Sequence, residues 1–169
     1  MKFNIPEQER VRARHPHEIF LINLIVNHIL LFVSLIGMAT SYPYLMLIIP
    51  GISIAILGYL IIRGRRTLTS EPWFVKCHWQ ICVRRSMFFI AMLGIMAAAI
   101  LIILLISGGN PRPQHYAFGG VAILPTMLTV LVLIIMESDA MNQARQGILP
   151  KSMVERFPKP DDIAILSED

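Results

Sequence analysis

Polar and charged positions are bunched along this chain rather than interspersed. Ile19–Ala39, Tyr42–Ile62, Met87–Ile106 and Tyr116–Met136 are apolar, each 20 or 21 residues long, and contain no Asp, Glu, Lys or Arg. A helix rises 1.5 Å per residue, so each stretch can cross a hydrocarbon core about 30 Å thick. The pattern predicts an all-α fold: an antiparallel bundle of four transmembrane helices. The third helix carries a cytoplasmic amphipathic extension.

The intervening segments set the organisation: a tail at 1–18, a membrane domain at 19–136 with its long connection at 63–86, and a tail at 137–169. Lys2, Arg10, Arg12 and Arg14 lie in the first tail, and Arg145, Lys151, Arg156 and Lys159 in the last. The connection holds Arg63, Arg65, Arg66, Lys76, Arg84 and Arg85, which leaves Arg112 alone on the other side. By the positive-inside rule both termini and the connection are cytoplasmic. The first apolar stretch exceeds the roughly 7–15 residues of a cleavable signal core and is expected to remain as a helix. Compactness favours a bacterial inner membrane. Composition agrees with the class: 55% of residues are hydrophobic and mean hydropathy is +0.62. Only 15% are charged, against about 25% in a soluble domain.

Local signals refine the picture. Thr40-Ser41-Tyr42-Pro43 is a turn short enough to make the first two helices neighbours, with Tyr42 and Tyr44 at the outer interface. Pro50 and Pro125 are expected to bend their helices, and the Gly- and Pro-rich segment 107–115 to form a loop. Ser70, Glu71 and Pro72 read as a capped helix start, with one long helix running from about Pro72. In its first turns Lys76, Gln80 and Arg84 share one face, and Phe74, His78 and Cys82 lie roughly opposite. The prolines and polar residues of 1–18 argue against a structured domain there. The last tail is expected to hold short helical pieces and then disorder.

Lipid gives apolar surfaces no reason to associate, so small residues and buried amides mark candidate contacts. Gly51, Ala55 and Gly58 form one small-residue face, and Ala91, Gly94 and Ala98 another. Asn23, Asn27 and Ser34 form a polar stripe on the first helix. With no ionisable residue on that face, packing is favoured over a transport path.

Candidate chemistry is sparse. His28 lies inside the first apolar stretch, yet bis-histidine haem ligation would need a second histidine at its depth, and His78 and His115 sit at the edges. It reads as a hydrogen-bonded packing residue. Cys77 and Cys82 flank His78, but their spacing matches no metal or redox motif, and they read as small buried residues. His15-Pro16-His17-Glu18 has metal-capable side chains but no evident further ligand, and is expected to be solvated. No catalytic constellation, cofactor or metal site, or nucleic-acid motif follows. Arg63, Arg65, Arg66, Lys76, His78, Arg84 and Arg85 are candidate contacts for lipid headgroups or a partner, although the arginines also serve as the topology signal.

Two readings follow. The first is a non-enzymatic accessory or scaffolding subunit, embedded in lipid and packed against a membrane-protein partner or its own copies. The second is a small oligomeric transporter or channel lined by Asn23, Asn27, His28 and Ser34. A haem-carrying electron-transfer subunit is a third.

Overall fold

A computed structural model of the chain describes residues 1–38, 41–108, 110 and 112–167. The expected turn at 40–43 and loop at 107–115 are thus described in part, and 168–169 of the acidic end lie outside the described residues. Four helices dominate: α1 (Glu7–Ile36), α2 (Ile48–Ser70), α3 (Trp73–Ile106) and α4 (Pro113–Gln146). All four are long and apolar enough to cross a membrane, they pack together, and the described residues form no sheet core. A 3-10 turn over Pro43–Leu47, a short helix, α5 (Lys151–Arg156), and two strands, β1 (Lys2–Phe3) and β2 (Ile165–Ser167), complete the described elements.

The long helix α3 is the hub, packing on α1, α2 and α4, while α1 also packs on α4. Its inner face contributes Phe74, Phe89 and Leu93 to a core shared with Phe20 and Leu24 of α1, Leu57 and Leu60 of α2, and Val130 and Leu133 of α4. Much of the remaining apolar surface faces outward, with Leu105, Ile106 and Ile135 each more than 70% exposed. A lipid surround removes the penalty such a surface would carry in water.

Prolines punctuate the helices differently from the sequence expectation. Ser70 does not cap α3: it ends α2 and its Oγ donates back to the Arg66 carbonyl at 3.0 Å. Glu71 is extended, as a residue before proline tends to be, and Pro72 occupies the position before α3. Pro50 falls in the first turn of α2, where a missing N–H is harmless, after a tighter 3-10 turn over Pro43–Leu47. Pro16 and Pro125 sit within continuous helices.

The tails are more ordered than expected. Helix α1 starts at Glu7, well inside the segment expected to lack structure. Helix α4 runs on past the apolar stretch to Gln146 and stops at Gly147, whose left-handed backbone (φ 74°) lets the Ile148 N–H reach the Gln143 carbonyl at 2.9 Å. Residues 1–4 then lie between two C-terminal segments. The Phe3 N–H donates to Gly147 (2.9 Å), the Leu149 N–H to Met1 (3.0 Å) and the Asn4 N–H to Ala164 (3.0 Å), while β1 pairs antiparallel with β2. Trp73 Nε1 donates to the Phe157 carbonyl at 2.7 Å and fastens this clasp to α3. Each tail supplies the backbone partners the other lacks, which neither could do alone.

The small-residue faces also differ from expectation. Gly51, Ala55, Ala91, Gly94 and Ala98 are exposed and Gly58 is half-buried, so these residues do not form the contacts between α2 and α3. A Cβ placed on Gly51, Gly58 or Gly94 would meet nothing within 4 Å. The close approach is at Gly64, where a Cβ would fall 2.2 Å from Val83 Cγ2.

Candidate functional site

A cluster of buried polar side chains lies just beyond the apolar stretches, at the end of the bundle that carries both termini. Helix α1 contributes His17, α3 contributes His78, Cys82, Arg85 and Ser86, and α4 contributes Glu137. His78, Cys82 and Ser86 are spaced four residues apart and share the face turned towards the other helices. His17, His78, Cys82, Ser86 and Glu137 have no exposed surface at all.

The groups form a chain. His78 Nδ1 lies 3.0 Å from His17 Nε2, and His17 Nδ1 lies 2.5 Å from Glu137 Oε2. The other carboxylate oxygen of Glu137 accepts from Arg85 at 3.0 Å, and the same guanidinium nitrogen donates to the Met136 carbonyl at 2.9 Å. Cys82 Sγ donates to the Pro16 carbonyl at 3.4 Å, which brings the thiol beside His17. Phe74 packs on the His78 ring with centroids 4.8 Å apart. A buried carboxyl group is tolerable here because Arg85 and the imidazole each engage one of its oxygens; removing either would leave that oxygen unsatisfied in a low dielectric.

This arrangement overturns two expectations. The His15–Glu18 segment is not simply solvated: His15 is exposed, while His17 points into the interior and finds its partners on α3 and α4. His78 is fully buried, so it contacts neither headgroups nor a partner protein. Glu137 was not singled out, although it is the first charged residue after the fourth apolar stretch. The repeat of His78, Cys82 and Ser86 down one helical face was the other available signal.

Deeper in the bundle, the polar stripe of α1 meets Ser53 of α2. Asn23 Nδ2 donates to Ser53 Oγ at 3.0 Å, and His28 Nε2 lies 2.9 Å from the same oxygen. Asn27 Nδ2 reaches both Asn23 Oδ1 (3.2 Å) and the Ile49 carbonyl (2.9 Å). In an α-helix residues 23 and 28 would point about 140° apart. Over Asn23–Leu31, however, α1 widens to a π-helix, whose i→i+5 bonding brings His28 beneath Asn23. The stripe therefore does include an ionisable residue. Ser34 does not join it: its hydroxyl is exposed and donates to Leu30 of its own helix at 2.8 Å.

The basic candidates divide. Glu71 bridges Arg63 at 2.8 Å and Arg12 at 3.1 Å, and Arg63 also lies over the Trp79 ring, 5.7 Å from its centroid. Lys76 reaches over Phe157, 5.7 Å from that ring's centroid. Arg85 is committed to Glu137, while Arg65, Arg66 and Arg84 are exposed. Among the described residues, His17, Cys82 and Glu137 form the one group of three side chains able to converge on a metal ion. Comparison with known proteins yields no matching family, no similar curated protein and no similar solved structure.

Proposed function

We propose that this protein is a non-enzymatic accessory or scaffolding subunit of a larger membrane assembly. In this reading the helices form an antiparallel bundle in a bacterial inner membrane, with both termini and the amphipathic start of α3 on the cytoplasmic side. The charge asymmetry of fourteen basic residues to one supports that orientation.

One observation carries the reading. Gly51 and Ala55 on α2, and Ala91, Gly94 and Ala98 on α3, are turned outward, and the surface above Gly51 and Gly94 is open. Lipid chains gain nothing from such residues, whereas another helix can approach closely only where side chains are small. The inward-facing polar groups support it further: Asn23, Asn27, His28 and Ser53 are hydrogen-bonded together, with only Asn27 Oδ1 left without a partner, and so act as internal glue rather than as a lined path. Extraction of native membranes in a mild detergent should yield the chain in a complex well above 19.1 kDa. Ala91→Leu with Gly94→Leu should release it from that complex without loss of helicity. Recovery of the native chain only as a monomer, or an unaltered complex in the double variant, would refute the reading.

A further inference from the structure

His17, Cys82 and Glu137 belong to three different helices, yet one potential ligand atom from each lies within 4.8 Å of the others. We propose that this junction binds one divalent transition-metal ion of the zinc class, held by His17 Nδ1, the Cys82 thiolate and Glu137 Oε2. An imidazole, a thiolate and a carboxylate make a borderline donor set that suits zinc or cobalt. Magnesium and calcium would require oxygen throughout.

The geometry places donors of the right kind around one point. His17 Nδ1 lies 2.5 Å from Glu137 Oε2, while the second nitrogen of His17 meets His78 Nδ1 at 3.0 Å and the second oxygen of Glu137 accepts from Arg85 at 3.0 Å. A metal ion between that nitrogen and that oxygen would have the Cys82 thiol beside it.

The movement required of the His17–Glu137 pair is small. Bonds of about 2.0–2.1 Å meeting at a tetrahedral angle put the nitrogen and oxygen about 3.3 Å apart. The pair therefore has to open by less than an ångström. The outer partners are those that metal ligands commonly use: His78 on the second nitrogen of His17, and Arg85 on the second oxygen of Glu137. Ser86, one turn beyond Cys82, has a buried hydroxyl without a formed hydrogen bond, available to the thiolate. The thiolate and the carboxylate neutralise the ion. The charge of Arg85 remains, with its side chain 21% exposed. Binding releases the proton of the thiol.

The test uses the full chain purified in detergent, with Co²⁺ as the spectroscopic probe and Zn²⁺ as its competitor. One Co²⁺ per chain should bind and give a near-ultraviolet thiolate-to-cobalt charge-transfer band that Zn²⁺ abolishes. Cys82→Ser keeps a donor for the Pro16 carbonyl and so preserves the fold; it should remove the band and lower bound metal at least tenfold. Glu137→Gln should weaken binding at least tenfold. His15→Ala with His115→Ala, the first exposed and the second half-buried at the opposite end of the bundle, should leave the band unchanged. Absence of the band in the native protein, or its persistence in Cys82→Ser, would overturn the proposal and leave a proton at the junction.

Discussion

Replacing Gly64 with alanine tests whether α2 and α3 really meet at that residue. The added Cβ would lie 2.2 Å from Val83 Cγ2 and 3.7 Å from Trp79 Cε3. Val83 cannot easily turn aside, because a β-branched side chain in a helix has one strongly preferred rotamer and this one is buried. The helices must instead part by more than an ångström, which strains the bond from Gln80 Nε2 to the Gly64 carbonyl, now 2.7 Å. Overpacking of this kind costs about 1–3 kcal/mol, and loss of the hydrogen bond about 0.5–1.5 kcal/mol. Against this stands the better helix propensity of alanine, at most about 1 kcal/mol. The net expectation is destabilisation by about 1–3 kcal/mol. Gly58, on the same helix, provides the control. With nothing within 4 Å of its Cβ position, Gly58→Ala should be neutral or slightly stabilising. Unfolding of both variants in mixed micelles, followed by circular dichroism, measures the difference. Val83→Ala removes the obstructing methyl, so in the Gly64→Ala background it should recover stability relative to either change alone. Equal stability of Gly64→Ala and the native chain, or no coupling in the double variant, would refute this packing.

Three further outcomes are expected. Gly147→Ala combines a left-handed backbone with a Cβ 2.7 Å from the Phe3 carbonyl oxygen, so it should loosen the clasp; faster hydrogen exchange at residues 1–5, with the apolar helices unchanged, is the measurement. Ser53→Ala strips a shared partner from Asn23 and His28 and should destabilise the bundle by about 1–3 kcal/mol in the same unfolding assay. Glu71→Gln weakens two bridges to partly exposed arginines, so it should cost under about 1 kcal/mol, with a smaller difference from native in high salt.

The helices were legible because lipid imposes a simple rule: about 20 uninterrupted apolar residues make a crossing helix, whatever they pack against. Four such helices are present, and α3 begins within a residue of the position its sequence signals indicated. The site was less legible because it depends on distances along the chain that no local pattern encodes. His17 and Glu137 are 120 residues apart, and only the packing of α1 on α4 brings them into contact. His28 was misplaced for a different reason. An α-helical period was applied to a stretch that adopts a wider turn, and residues 23 and 28 come together only in that geometry. The clasp was missed because backbone hydrogen bonds between Met1, Phe3, Gly147 and Leu149 are indifferent to side-chain type.

These bonds make the two ends of the bundle mechanically unequal. Where the termini meet, α1, α3 and α4 are joined by His17, His78, Glu137 and Arg85, and Trp73 ties the clasp to α3. Towards the far end the helices instead border an apolar cavity of about 190 Å³, lined by His28, Phe32, Ile49, Leu93, Met96 and Thr126 among others. Polar networks of fixed geometry resist sliding, whereas apolar side chains around a half-open space have fewer fixed partners and can repack. Relative motion of the helices is therefore expected at the cavity end and damped at the clasped end. In the proposed accessory role, a partner helix docking over Gly94 would then adjust α3 locally while the end of the bundle that carries the termini keeps its shape. Substitutions at His17 or Glu137 should remove this asymmetry, so their effect on hydrogen exchange should spread through α1 and α4 rather than stay near the substituted residue.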